Sequence, residues 1–184
     1  MTDIHPADII AFWKEAGPAK WWKKDAAFDA EIRRRFGATW NDAVDGRLNL
    51  WPETAEGALA LILVLDQFSR NMFRNDPRAF KADPIARATA DAALAEGFDH
   101  QVEPDLRAFF YMPFMHSEEL PDQERCVRLF STLDASSAEE NRKYAEVHRD
   151  VIARFGRFPH RNPILGRSTT PEEQRFLDDG GFAG

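Results

Sequence analysis

Residues 57–65 read GALALILVL, nine positions without a charged or hydrogen-bonding side chain, and residue 66 is an aspartate. Such a stretch leaves no face for water, so whatever it forms must be enclosed on all sides. Crossing a bilayer takes about 20 apolar residues, and the run Ala58–Leu65 is too short for that. Thr54 stands where an N-cap belongs, and Asn75-Asp76-Pro77 breaks the pattern. The spacing therefore predicts a helix from Ala55 to about Arg74, the most buried of the chain. A helix that is apolar all round requires amphipathic neighbours to cover it.

The rest of the sequence supplies them. Behind Pro6, the residues Ile9, Phe12 and Trp13 fall at helical spacing, and Gly17-Pro18 stops that helix. Asp25 is placed to cap a second helix with Phe28, Ile32 and Phe36 on one stripe; Gly37 either ends it or is tolerated inside a helix reaching Val44, before the turn Asp45-Gly46. Asp83-Pro84 reads as an N-cap followed by a first-turn proline, with the helix running to Gly97. Pro104 opens a segment carrying Leu106, Phe109, Phe110 and Phe114, which Pro113 kinks or ends. Pro121 opens another, with Cys126, Leu129, Phe130 and Leu133 inward. Ser136 or Ser137 caps a helix to about Phe155 whose expected inner stripe is Tyr144, Val147, Val151 and Phe155, stopped by Gly156. Thr170-Pro171-Glu172-Glu173 is a capping box for a last short helix ending at Gly180-Gly181. No segment alternates as a strand does. The expected fold is all-α, a single helical domain over residues 1–184, with roughly seven to nine helices joined by short connections and hence in antiparallel pairs.

Composition narrows the function classes. With 31 acidic against 24 basic residues the net charge is -7, which argues against general binding of nucleic acid or anionic membranes. Cys126 is the single cysteine, so no intrachain disulfide is expected, and on an apolar stripe it reads as an inert thiol. The N-terminal MTDIHPADII lacks the basic region of a signal peptide, and the expected location is the cytoplasm. No glycine-rich phosphate loop, nucleophile elbow or paired-cysteine metal site is present, so no cofactor is expected. Trp21 and Trp22 in KWWKKD read as packing residues.

The informative residues are polar groups where apolar ones belong. Asp66 and Arg70 stand at i and i+4 on the stripe of Leu59 and Leu63, so the carboxylate must be paired, locally with Arg70 or with arginines elsewhere. Gln67, Asn71 and Arg74 form the adjacent row. His116, Ser117, Glu118 and Glu119 follow the aromatic helix, and His148 lies beside the expected inner stripe of its own helix. Most pointed is RFGRFPHRNPILGR, residues 154–167, with four arginines, one histidine and no acid. Phe155, Phe158, Ile164 and Leu165 anchor it, and Pro159 and Pro163 stiffen it. Rigidly placed guanidinium groups match carboxylates and phosphates, whether on a ligand or on the protein itself.

Three stretches together, LDQFSRN, PFMHSEEL and RFGRFPHRNPILGR, resemble a bacterial family of uncharacterised proteins, domain of unknown function 924. FWKEAG, WWKKDAAFDAEIRRRFG and STTPEE fit its pattern as well, so the similarity covers nearly the whole chain. Asp66, Gln67, Arg70, Asn71, His116, Ser117, Glu118, Gly156, Arg157, Pro159, His160, Arg161, Asn162 and Arg167 match its motifs. The resemblance implies a tetratricopeptide-like, right-handed helical array and supplies no reaction.

Three readings of function follow. In the first, a pocket binds a small anionic ligand through a phosphate or carboxylate group, with Arg70, Arg157, Arg161 and Arg167 supplying charge and Asp66, Gln67, Asn71 and Asn162 orienting it. His116, Glu118 and His160 are then the candidate proton-transfer groups. In the second, a non-catalytic helical scaffold binds an acidic peptide or protein partner. In the third, His116, Glu118 and His148 hold a metal ion for hydrolysis, although no metal signature accompanies them.

Overall fold

The structure, a computed structural model, describes residues 3–133 and 138–184. Among the described residues every regular element is helical: α1 Pro6–Ala16, α2 Pro18–Trp21, α3 Ala26–Val44, α4 Ala55–Ile62, a π-helical segment Leu63–Phe68, α5 Ser69–Met72, α6 Arg78–Lys81, α7 Asp83–Ala95, α8 Pro104–Met115, α9 Leu120–Ser131, α10 Ala138–Phe155 and α11 Pro171–Asp178. Three 3-10 turns, Trp51–Glu53, Phe98–Gln101 and Pro159–Arg161, join some of them. No described helix is long and apolar enough to cross a membrane. The chain divides into two compact units, residues 1–113 and 114–184, with the boundary at Pro113 inside α8.

In the first unit, local signals set most boundaries. The Asp25 carboxylate accepts from the Ala27 and Phe28 N–H groups, and Thr54 accepts from Gly57 N–H. Gly17 takes φ 66°, which separates α1 from α2. Gly37 does not stop α3, which continues to Val44. Asp83 is the first residue of α7 rather than its cap, and Ala82 holds the cap position; the carboxylate is committed instead to Arg70 at 2.9 Å.

The apolar run is the centre of this unit, and Leu61, Leu63 and Leu65 are all buried. Its second half is the π-helix, which the periodicity did not foretell. There Asp66, Gln67 and Phe68 are buried in succession. Ser69, next in the chain, donates to the Leu65 carbonyl at 2.5 Å and accepts from Trp40 Nε1 at 2.7 Å. Phe68 and Phe36 stack at 5.1 Å, and Phe12 meets Phe28, Phe36 and Phe68 at 5.0–6.1 Å. These contacts are the aromatic coat that the apolar helix requires.

In the second unit α9 and α10 pack against each other, and the segment after α10 folds back as an ordered loop into α11. The inner face of α10 differs from the expected stripe. Asn141, Ala145, His148, Val151 and Ile152 are buried, whereas Tyr144 and Val147 are 53% and 43% exposed. The apolar side chains had suggested a phase about one residue off, because two polar residues occupy inward positions. The expected caps of this helix, Ser136 or Ser137, lie outside the described residues.

Two glycines in the first unit give opposite expectations. A Cβ on Gly57 would lie 1.9 Å from the Trp51 carbonyl oxygen, and one on Gly37 would meet nothing within 4 Å. Gly57→Ala must shift backbone and should cost about 1–3 kcal/mol. Gly37→Ala, inside α3, should stabilise by about 0.5–1 kcal/mol through helix propensity. Urea unfolding of both variants checks this, and equal signs would contradict the assigned packing.

Candidate functional site

The sequence-predicted residues fall into clusters within each unit. In the first, Arg70 Nη1 lies 3.1 Å from Asp66 Oδ1 and 2.9 Å from Asp83 Oδ1, and Arg70 Nη2 donates to Asp83 Oδ2 at 2.9 Å. Burial opposes the Arg70 charge, but the two carboxylates outweigh it and hold the group protonated beyond its usual range. Gln67 Nε2 donates to Asp66 Oδ2 at 2.6 Å. Asn71 donates to Asp29 at 2.7 Å, and Arg74 pairs with the same carboxylate. Asp66 is thus paired locally, as its i, i+4 spacing predicts. Asp29 and Asp83 carried no sequence signal for their roles.

In the second unit the arginine loop is clamped by two carboxylates. Arg157 grips Glu173 through Nε at 2.6 Å and Nη2 at 2.8 Å. Arg167 grips Glu118 through Nη1 at 2.6 Å and Nη2 at 2.9 Å. Asn162, fully buried, joins the pairs: its Oδ1 accepts from Arg167 Nε at 3.0 Å and its Nδ2 donates to Glu173 at 3.2 Å. Glu118 also accepts from Phe158 N–H at 2.9 Å, and Glu173 from Thr170 N–H at 2.7 Å. The capping box was legible in the sequence, but not that its glutamate receives Arg157 as well. Arg154 meets Glu172 at the surface.

These contacts set protonation. The Arg157 hydrogen bonds hold the Glu173 carboxyl down at about 2, against burial. Burial pushes Glu118 up, but Arg167 and the Phe158 N–H outweigh it and leave the group below its usual value. A carboxylate so held is a poor proton donor. Cys126 is buried and its thiol is pushed far up by burial, in keeping with an inert core residue.

Arg161 is placed differently. It is buried, its Nη1 donates to the His116 carbonyl at 3.0 Å, and its guanidinium lies 4.4 Å from the Phe158 ring centroid. Around Phe158 stand His148 at 5.5 Å and His160 at 5.7 Å, and His116 lies 6.4 Å from His148. His148 Nδ1–H donates to the Tyr144 carbonyl at 2.7 Å, which leaves the Nε2 lone pair unprotonated in the neutral ring. Burial is the main cause that lowers the His148 pKa to about 3, and His116, Arg161 and His160 push the same way. Phe182 packs on this group at 4.3 Å from His148; nothing in the sequence pointed to it.

The third reading gains no support from the geometry. Among the described residues no group of three or more His, Cys, Asp and Glu side chains is placed to hold a metal ion, and both Glu118 oxygens are engaged by Arg167. An open groove of about 620 Å³ lies elsewhere in this unit, along Arg154, Glu172, Arg175, Phe176, Asp179, Gly180 and Gly181. Its walls carry charges of both signs and include none of the histidines.

A family described as bacterial protein of unknown function, domain of unknown function 924, matches residues 9–181. A solved structure of a protein of unknown function from Agrobacterium tumefaciens is similar to this chain with 48% identity and a TM-score of 0.90, covering 95% of this chain and 97% of that one. No curated protein matches.

Two outcomes follow. Glu173→Gln strips the charge that Arg157 and Asn162 are bonded to and should lower the urea midpoint clearly more than Glu172→Gln, which breaks only the surface pair with Arg154; equal losses in the two variants would mean the clamp contributes no more than a surface contact. His148 has a folded pKa below its unfolded one of about 6.5, so its contribution is complete above that pH and is lost as pH falls toward 3. Unfolding free energy should therefore drop between pH 6.5 and 4.5 by up to roughly 1.4 kcal/mol per unit. His148→Asn, whose amide N–H can stand in for Nδ1–H, should flatten that slope, and an unchanged slope would exclude His148 as its source.

Proposed function

The chain belongs to that family of unknown function, which brings no reaction with it, and we propose that its second unit binds a small anion, through a phosphate or carboxylate group, at Arg161. The observation that carries this reading is the company Arg161 keeps: a buried guanidinium over the Phe158 ring, which His148 and His160 also flank, with Nη1 on the His116 carbonyl. The Arg161 guanidinium, held out of water there, favours an incoming negative charge, which gains charge-assisted hydrogen bonds from it. Arg70, Arg157 and Arg167 pair with internal carboxylates, which supports giving those three a structural role. Asn162 then supports the loop, and His116 and His160, both half-buried, are the proton-transfer candidates that remain beside Arg161.

Phosphate, sulfate and small dicarboxylates should raise the melting temperature saturably, ligand at about 100 Kd adding roughly 2.7 kcal/mol. Saturation separates this from the general effect of sulfate on burial. Arg161→Gln should abolish the shift, while Arg154→Gln, at the surface, should leave it intact. No saturable shift in the wild type, or an equal one in Arg161→Gln, would refute the reading.

A further inference from the structure

The ring of Phe182 sits in a slot whose walls are set out by distance: His148 at 4.3 Å, His160 at 5.3 Å in an edge-on arrangement, and Phe158 at 6.1 Å. A six-membered ring therefore already fits among the imidazoles of the proposed anion site. The ring arrives on a short segment after α11, beyond Gly180 at φ 81° and Gly181, whose N–H donates to the Phe176 carbonyl at 2.9 Å. Gly181 also tolerates no side chain, since a Cβ there would meet the Phe176 ring and carbonyl at 2.5 Å. Farther on, Gly184 lies close against the His160 ring, a Cβ built there being 3.1 Å from Nε2. The segment so placed covers two of the three histidines, and Phe182 remains only partly buried.

We infer that the slot filled by Phe182 is an aryl subsite of the anion site, so that the ligand is an aromatic carboxylate and Phe182 is its internal competitor. The inference rests on the anion-binding reading. A benzoate ring in place of Phe182 meets the same edge-on and tilted faces that favour aromatic partners. The carboxylate it carries is a partner for the Arg161 guanidinium, which a phenylalanine ring does not supply. A non-aromatic anion uses the charge but not the slot.

The test is titration calorimetry with benzoate, cyclohexanecarboxylate and inorganic phosphate on the wild type, Phe182→Ala and Arg161→Gln. Removing the competing ring should tighten benzoate on the order of tenfold, the factor that one well-packed aromatic contact represents. Cyclohexanecarboxylate and phosphate should change little, and Arg161→Gln should weaken benzoate. Benzoate affinity unchanged by Phe182→Ala overturns the inference, as does an equal gain for all three anions, which would make Phe182 a mere cover. Phosphate binding that depends on Arg161 without any aromatic preference leaves the anion site standing and removes the aryl subsite. Should Phe182→Ala fail to fold, the wild type decides: saturating benzoate should abolish the nuclear Overhauser contact between Phe182 and His148, and its persistence at saturation overturns the proposal.

Discussion

A charge taken out of water must find a partner, and both units are organised by meeting that requirement. In the first, a helix apolar on every side ends in buried Asp66, whose carboxylate is held by Arg70, itself shared with Asp83. In the second, Glu118 and Glu173 are posts to which the loop of residues 154–167 is tied through Arg167 and Arg157. Breaking any of these pairs strands a charge, which costs more than the pair itself contributes over an apolar substitute. The pairs join helix to helix and loop to helix at fixed places.

This requirement explains the arginine-rich loop. Arg154, Arg157 and Arg167 pair with Glu172, Glu173 and Glu118, and buried Asn162 couples two of those pairs into one network. Phe158, fully buried with its N–H given to Glu118, then stands fixed in the unit, and Arg161 and the histidines are arranged about it. The clamp and the cluster are thus successive layers: paired charges hold a rigid loop, and the rigid loop holds an electropositive aromatic group. Preorganisation of that kind would lower the cost of receiving the anion proposed for Arg161.

The π-helical segment shows the same economy in the first unit. Widening the helix over Leu63–Phe68 departs from the regular i, i+4 ladder, and Ser69 absorbs part of the irregularity by donating to the Leu65 carbonyl while accepting from Trp40. Such insertions recur where side chains must be re-aimed. Here the segment carries Asp66 and Gln67, which bond each other at 2.6 Å.

The sequence by itself determined the helical class, the buried centre and several of the helix ends. Those depend on signals that act within one turn: Asp25 and Thr54 as caps, Gly17 and Gly156 as stops, the Thr170–Glu173 box. It also required Asp66 to be paired and offered Arg70, four residues away, as one of the candidates, which is the pair found. Only the tertiary structure decided which distant partner each remaining charge takes, because such pairs join Asp29 to Arg74 across 45 residues and Glu118 to Arg167 across 49. It likewise set the phase of α10, where Asn141 and His148 face inward and Tyr144 faces out, and it brought Phe182 onto the histidines. Local propensity carries no information on these choices, since hydrophobicity ranks side chains one at a time whereas burial of a polar one is settled by the partner that packing delivers to it.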